Sequence, residues 1–117
     1  MPILTKRIYD LAEPLDGYRL LTMRYWPRGV RKDRIDAWER SLAPTRELLA
    51  NYRARTINWP EYERRYLHEM TTYPESIEAL AALIRRCAHE NVTALCGCKD
   101  ETHCHRILLQ GLVAASL

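Results

Sequence analysis

The chain has 117 residues, 47% of them hydrophobic, with 18 Lys and Arg against 15 Asp and Glu for a formal net charge of +3. That length suits a single domain over 1–117 with one core, of α/β class as the elements below argue. No apolar run approaches the roughly 18 residues of a membrane span, and "MPILTKRIYD" lacks the apolar stretch of a signal peptide, so a cytoplasmic protein with reduced thiols and no membrane partner is expected.

In chain order, "LTKRIYD" (4–10) alternates well enough for an outer strand. "YRLLTM" (18–23) is a short apolar run that ends in a Trp-Pro-Arg-Gly turn, the pattern of a buried strand followed by a loop. "RIDAWERSL" (34–42) fits one short helix ended by Pro44. A second helix follows from "PTRELLANYRAR", with Pro44 and Thr45 as cap signals and Leu48, Leu49 and Tyr52 on one face. "WPEYERRYLHEM" repeats Trp59, Tyr62, Tyr66 and Met70 at helical spacing, a stripe that reads as core rather than as a stacking platform. "PESIEALAALIRRCAHE" is the clearest helix: Pro74 opens it, acids lie early, and Arg85 and Arg86 lie late. "VTALCG" (92–97) is another buried strand, and a last helix is expected from near Thr102.

Short apolar strands joined by long helical crossovers predict a small, mainly parallel sheet with helices packed on both faces. In such sheets ligands gather beyond the carboxyl ends of strands. "TMRYWPRG" and "LCGCKDETHCHR" both leave strand ends, so they should share one rim. Positive charge also collects along residues 19–46, where Arg19, Arg24, Arg28, Arg31, Lys32, Arg34, Arg40 and Arg46 crowd one stretch. That suits phosphate, carboxylate or nucleic acid, although a solvated face has the same composition.

"KRIYD", "DGYRLLTMRYWPRGV", the "W…LAPT" stretch at 38–45 and "WPEYERRYLHEM" resemble the YeaO-like branch of the domain of unknown function 488 family. The resemblance spans nearly the whole chain and falls on Tyr9, Asp16, Gly17, Arg24, Trp26, Pro27, Arg28, Gly29, Trp38, Pro44, Tyr66 and Glu69. It implies an α/β fold with a rim site, and no particular reaction. The C-terminal segment departs from that branch. Its Cys…Cys-His-Arg is more similar to the wider family, where a strand-end Cys precedes a Cys-His-Arg that opens a helix.

The junction "CGCKDETHCHR" (96–106) carries the remaining chemistry. Cys96, Cys98, Cys104 and His105, with His103 as a substitute, have the number and softness of a tetrahedral zinc site. The Cys-x-Cys-x5-Cys-His spacing is unusual, however, and neighbours on a helix diverge by about 100°, so a metal is not favoured. Cys98, Cys104 and His105 are the candidates for thiol chemistry, with Cys104 expected in the first helical turn, where free N–H groups and Arg106 favour a thiolate. Neither a Cys-x-x-Cys redox pair nor a Cys-x5-Arg phosphate loop is present. Anion binding needs no special ligand geometry: Arg24, Arg28 and Arg106 would converge beside a helix N-terminus, and Trp26 would offer a stacking surface.

Cys87, on a helix face, reads as a small apolar core residue, and His68 and Glu69, adjacent on a helix, do not face each other. The leading expectation is therefore a rim site for an anionic small molecule or nucleotide. A metal or thiol-redox protein and a nucleic-acid-binding module stand as alternatives, and no motif names a cofactor, a reaction or an oligomeric state.

Overall fold

The computed structural model describes residues 3–116. Four strands, β1 (Leu4–Arg7), β2 (Tyr18–Leu21), β3 (Ala37–Trp38) and β4 (Val92–Cys96), form one sheet in the order β1-β4-β2-β3, with every pairing parallel. Four α-helices accompany it: α1 (Arg46–Arg53), α2 (Trp59–Thr72), α3 (Pro74–Cys87) and α4 (His105–Ser116). The α/β class and the parallel sheet are as the sequence predicts.

β4 lies between β1 and β2, and all five of its residues are buried. A strand covered on both faces should read as an unbroken apolar run, as "VTALC" nearly does. Alternate side chains sort to opposite faces. Val92, Ala94 and Leu20 join a cluster with Leu48, Tyr66, Met70, Leu83, Leu109 and Val113, drawn from all four helices. Leu95 and Leu21 join Ile8 on the other face, which Met23, Trp26, Val30, Ile35 and Trp38 cover. That second face is thus roofed by the excursion after β2 rather than by helices.

The helix expected over 34–42 does not form. Ala37 and Trp38 instead pair with Leu20 and Leu21 as an edge strand, flanked by 3-10 turns at 32–34 and 40–42. Long-range contacts override the helical pattern. The Asp36 carboxylate accepts the Arg19 N–H at 2.8 Å. Trp38 Nε1 donates to the Met23 carbonyl at 2.7 Å, and its ring meets Trp26 edge to face at 5.3 Å.

α1 and α2 begin at side-chain caps. Thr45 accepts from Leu48 N–H at the start of α1, and Asn58 accepts from Glu61 N–H at the start of α2. α4 begins three residues later than Thr102, after a 3-10 turn at 101–103.

Four of the residues that carry the family resemblance hold this framework. Tyr66 donates to the Leu42 carbonyl at 2.7 Å, and Glu69 accepts from both the N–H and the hydroxyl of Thr45. Asp16 binds Lys6, Arg19 and the Glu13 N–H. Gly17 turns the chain into β2 at φ +63°, with Asn91 so close that a Cβ would sit 2.3 Å from its carbonyl oxygen.

Candidate functional site

β2 and β4 are parallel neighbours, so the loops that leave Leu21 and Cys96 emerge on the same edge of the sheet. Between them lies a cleft of about 570 Å³. Arg24, Trp26, Pro27 and Arg28 line it from the β2 side, and Cys96, Gly97, Cys98, His103 and His105 from the β4 side. The expected shared rim is therefore present.

α1 and α2 add Leu49, Tyr52, Arg53 and Tyr62 to the walls. Tyr52 stacks on Tyr62 with ring centroids 4.4 Å apart, and Tyr62 in turn stacks on Trp59 at 5.4 Å. His103 meets Trp59 edge-on at 5.0 Å, which ties the loop after β4 to this aromatic wall.

The charge of the cleft is one-sided. Arg24, Arg28 and Arg53 line it, and no Asp or Glu is among its lining residues, although the Asp100 carboxylate lies 2.8 Å from His103 Nδ1. Arg24 is partly committed, donating from Nε to the Pro44 carbonyl at 3.0 Å. Arg28 is exposed, while its backbone carbonyl is pinned by the Tyr9 hydroxyl at 3.0 Å. A second cleft of about 560 Å³ runs between the β3 edge and α3, but there Glu39 and Glu90 offset Arg85 and Arg86.

At the floor, Cys104 is not in a helical turn. Its backbone is extended (φ −134°, ψ 145°), and α4 begins with the next residue, His105. The 100° divergence of helical neighbours therefore does not apply, and both side chains turn toward Cys96. Cys104 Sγ lies 3.8 Å and Cys96 Sγ 4.0 Å from His105 Nδ1. Cys98 Sγ lies 3.6 Å from Cys96 Sγ and is exposed to the cleft, whereas Cys96 and Cys104 are buried.

His105 Nε2 lies 2.6 Å from the Thr22 carbonyl. A carbonyl only accepts, so Nε2 must carry the proton and Nδ1 presents a lone pair to the thiols. Burial lowers the His105 pKa despite the opposing effect of that hydrogen bond, and the ring stays neutral.

The three thiols titrate together. Hydrogen bonds from Cys104 and Cys98, with the Arg106 charge, hold Cys96 well below the usual thiol range against its burial. Cys104 is pushed up by its hydrogen bonds to Cys96 and Cys98 and by burial. Cys98 also rises: its hydrogen bond with Cys104 acts downward, but Cys96 and burial outweigh it. The thiol held low in the cluster is therefore Cys96 rather than Cys104, because ionising one sulfur suppresses its neighbours.

Of the site residues read from sequence, Arg24, Trp26, Arg28, Cys96, Cys98 and His105 line one cleft. Arg106 does not line it; it is buried at 2% exposure behind Cys96, donating to the Cys96 carbonyl at 3.2 Å. Trp26 is half-buried, and its indole N–H is spent on the Val30 carbonyl. Arg53, Tyr52 and Tyr62 were not expected in the site; their only sequence signal was membership of helices that fold back over the rim. His103, read from the sequence as a substitute metal ligand, lines the cleft against Trp59.

Much of the basic stretch has structural work. Arg19 binds Asp16 and the Arg34 carbonyl, Arg34 binds the Ile8 and Asp10 carbonyls, and Arg40 lies over the Trp38 ring at 4.0 Å.

A family profile described as "Active DUF488-N3 subclade" matches residues 3–117. The chain is 32% identical over 111 residues to "Uncharacterized protein YeaO" of Escherichia coli K12, covering 93% of this chain and 94% of that protein. It is 31% identical over 109 residues to "Uncharacterized protein Rv3073c" of Mycobacterium tuberculosis H37Rv, covering 92% and 89%. "Uncharacterized protein Mb3100c" of Mycobacterium bovis matches to the same extent. No solved structure matches significantly. Among the described residues, no helix is long and apolar enough to cross a membrane.

Proposed function

This chain belongs to the DUF488 family, and we propose from the geometry of its rim that the cleft binds an anionic small molecule bearing an aromatic ring, with a nucleotide as the fitting example. The observation that carries this reading is the charge of the lining: Arg24, Arg28 and Arg53, with no carboxylate among the lining residues. An unbalanced cationic cleft with low-dielectric walls focuses potential and draws anions in. Arg28 and Arg53 are exposed and supply guanidinium forks suited to phosphate or carboxylate oxygens. The faces of Tyr52 and Trp26 offer apolar area against which a ring would lie.

Calorimetric titration with AMP, adenosine and inorganic phosphate tests the reading. AMP should bind more tightly than adenosine, and Arg28→Ala should weaken AMP roughly ten- to a hundredfold, the usual worth of a charge-assisted contact. Equal affinity for AMP and adenosine, or an Arg28→Ala protein that binds AMP like wild type, would contradict it. A nucleic-acid interface would instead give affinity for oligonucleotides that falls steeply with salt.

A further inference from the structure

Beneath the cleft, the cysteine–histidine cluster has a geometry that hydrogen bonding among thiols does not explain. Cys96 Sγ, Cys104 Sγ and His105 Nδ1 all lie within 4.8 Å of one another, and all three residues are buried. Tetrahedral zinc holds sulfur at about 2.3 Å and nitrogen at about 2.0–2.1 Å, which puts ligand atoms about 3.8 Å (S to S) and about 3.6 Å (S to N) apart. The observed sulfur-to-nitrogen separations are 3.8 Å and 4.0 Å, and the Cys96 and Cys104 sulfurs lie within 4.8 Å of each other. A modest inward shift of the side chains would bring the three donors to the corners of a zinc tetrahedron.

Two further features point the same way. The Thr22 carbonyl holds the His105 Nε2 proton at 2.6 Å, the outer hydrogen bond that orients a metal-binding imidazole and directs its other nitrogen at the ion. Arg106, 2% exposed, makes its one side-chain hydrogen bond to the Cys96 carbonyl, and its Nε has no partner. A buried cation needs a negative counterpart. No carboxylate pairs with Arg106 among the described residues, and the thiolates of a metal–sulfur centre would supply that charge.

We infer that Cys96, Cys104 and His105 form a three-ligand site for a zinc-class divalent ion, with the fourth coordination position facing the rim cleft beside Cys98. Two soft sulfurs and one imidazole favour zinc over magnesium or calcium, which take oxygen ligands. Each thiol that binds the ion gives up its proton. Cys96, Cys98 and His105 line the cleft, whereas Cys104 lies behind it, so the uncommitted corner opens toward incoming ligand, as in catalytic rather than structural zinc sites. Cys98 is at hand for that corner but is not required for the ion to bind.

The test is uptake of cobalt(II), and then zinc, by the reduced full-length protein, read by absorption. Wild type should bind one equivalent with thiolate-to-cobalt charge-transfer bands in the near ultraviolet and the intense visible bands of tetrahedral cobalt. Cys104→Ala should weaken uptake by more than roughly a hundredfold, beyond what loss of an outer partner costs. Cys98→Ala should retain it within a few-fold and alter the visible bands. Absence of stoichiometric uptake by wild type, or uptake that survives Cys104→Ala, would overturn the site, and loss of uptake in Cys98→Ala would overturn its open fourth position. Should Cys104→Ala fail to fold, X-ray absorption on the zinc-loaded wild type decides: a shell of sulfur with one imidazole nitrogen supports the site, and oxygen ligation alone overturns it. These readouts use the metal alone, so failure of the anion reading leaves them intact.

Discussion

His105 gives its Nε2 proton to the Thr22 carbonyl at 2.6 Å, and its Nδ1 thereby faces the Cys104 sulfur at 3.8 Å. One backbone acceptor at the end of β2 thus sets the chemistry of a ring at the start of α4. Nitrogen-detected NMR of the histidine rings should find His105 neutral and protonated at Nε2 at about pH 7. A ring protonated at Nδ1 would mean that the thiols, not the carbonyl, fix its orientation.

The four thiols differ in access. Cys98 is exposed at the cleft, while Cys87, Cys96 and Cys104 are buried. With a limiting thiol reagent and mass-spectrometric assignment, Cys98 should label first and Cys87 and Cys104 only slowly without denaturant. Cys104 or Cys87 labelling ahead of Cys98 would show that the cluster opens in solution.

Glu69, buried in α2, accepts from the Thr45 N–H at 3.0 Å and from its hydroxyl at 2.6 Å, and Thr45 caps α1. Glu69→Ala removes the acceptor for both donors at once. The expected loss in urea unfolding is about 1.5–3 kcal/mol, the range for hydrogen bonds to a charged group. A change below about 0.5 kcal/mol would indicate that water replaces the carboxylate without penalty.

Asp16 gives a pH dependence. Burial would raise its carboxyl, but the Glu13 N–H, Lys6 and Arg19 outweigh burial and hold it below the usual value. Between the lower folded value and the unfolded one near ~3.9, the unfolded chain binds a proton that the folded chain refuses. The stabilisation is therefore complete above the unfolded value and is lost as pH falls through the folded one. Asp16→Asn should be less stable than wild type at about pH 7, with the gap closing toward about pH 3. A gap that stays constant with pH would assign the effect to shape rather than charge.

The parallel sheet and the meeting of two strand-end loops were legible because both depend on short apolar runs and on the handedness of crossovers. The fate of 34–42 was not. Its helical periodicity is outweighed by Asp36 on the Arg19 N–H and by Trp38 on the Met23 carbonyl, contacts that no local pattern encodes. Cys104 was misplaced for a related reason: Thr102 resembles an N-cap, yet the Asp100 carboxylate accepts the Thr102 N–H at 3.0 Å and caps a separate 3-10 turn. That postponed α4 and left Cys104 extended, which is what brings it beside His105 and Cys96. Arg53 and Tyr52 entered the cleft through the packing of α1 on α2, a relationship invisible in their own segment.

On the proposed function, the β2 and β4 loops act as one anion site. Titrating isotope-labelled protein with AMP and following Arg28 Nε, the Trp26 indole and the Cys98 and His103 amides by NMR tests it most directly. All four signals should move with one shared dissociation constant, while the Arg85 and Arg86 signals at the other cleft stay still. Movement confined to one loop, or centred on Arg85 and Arg86, would contradict a shared rim site.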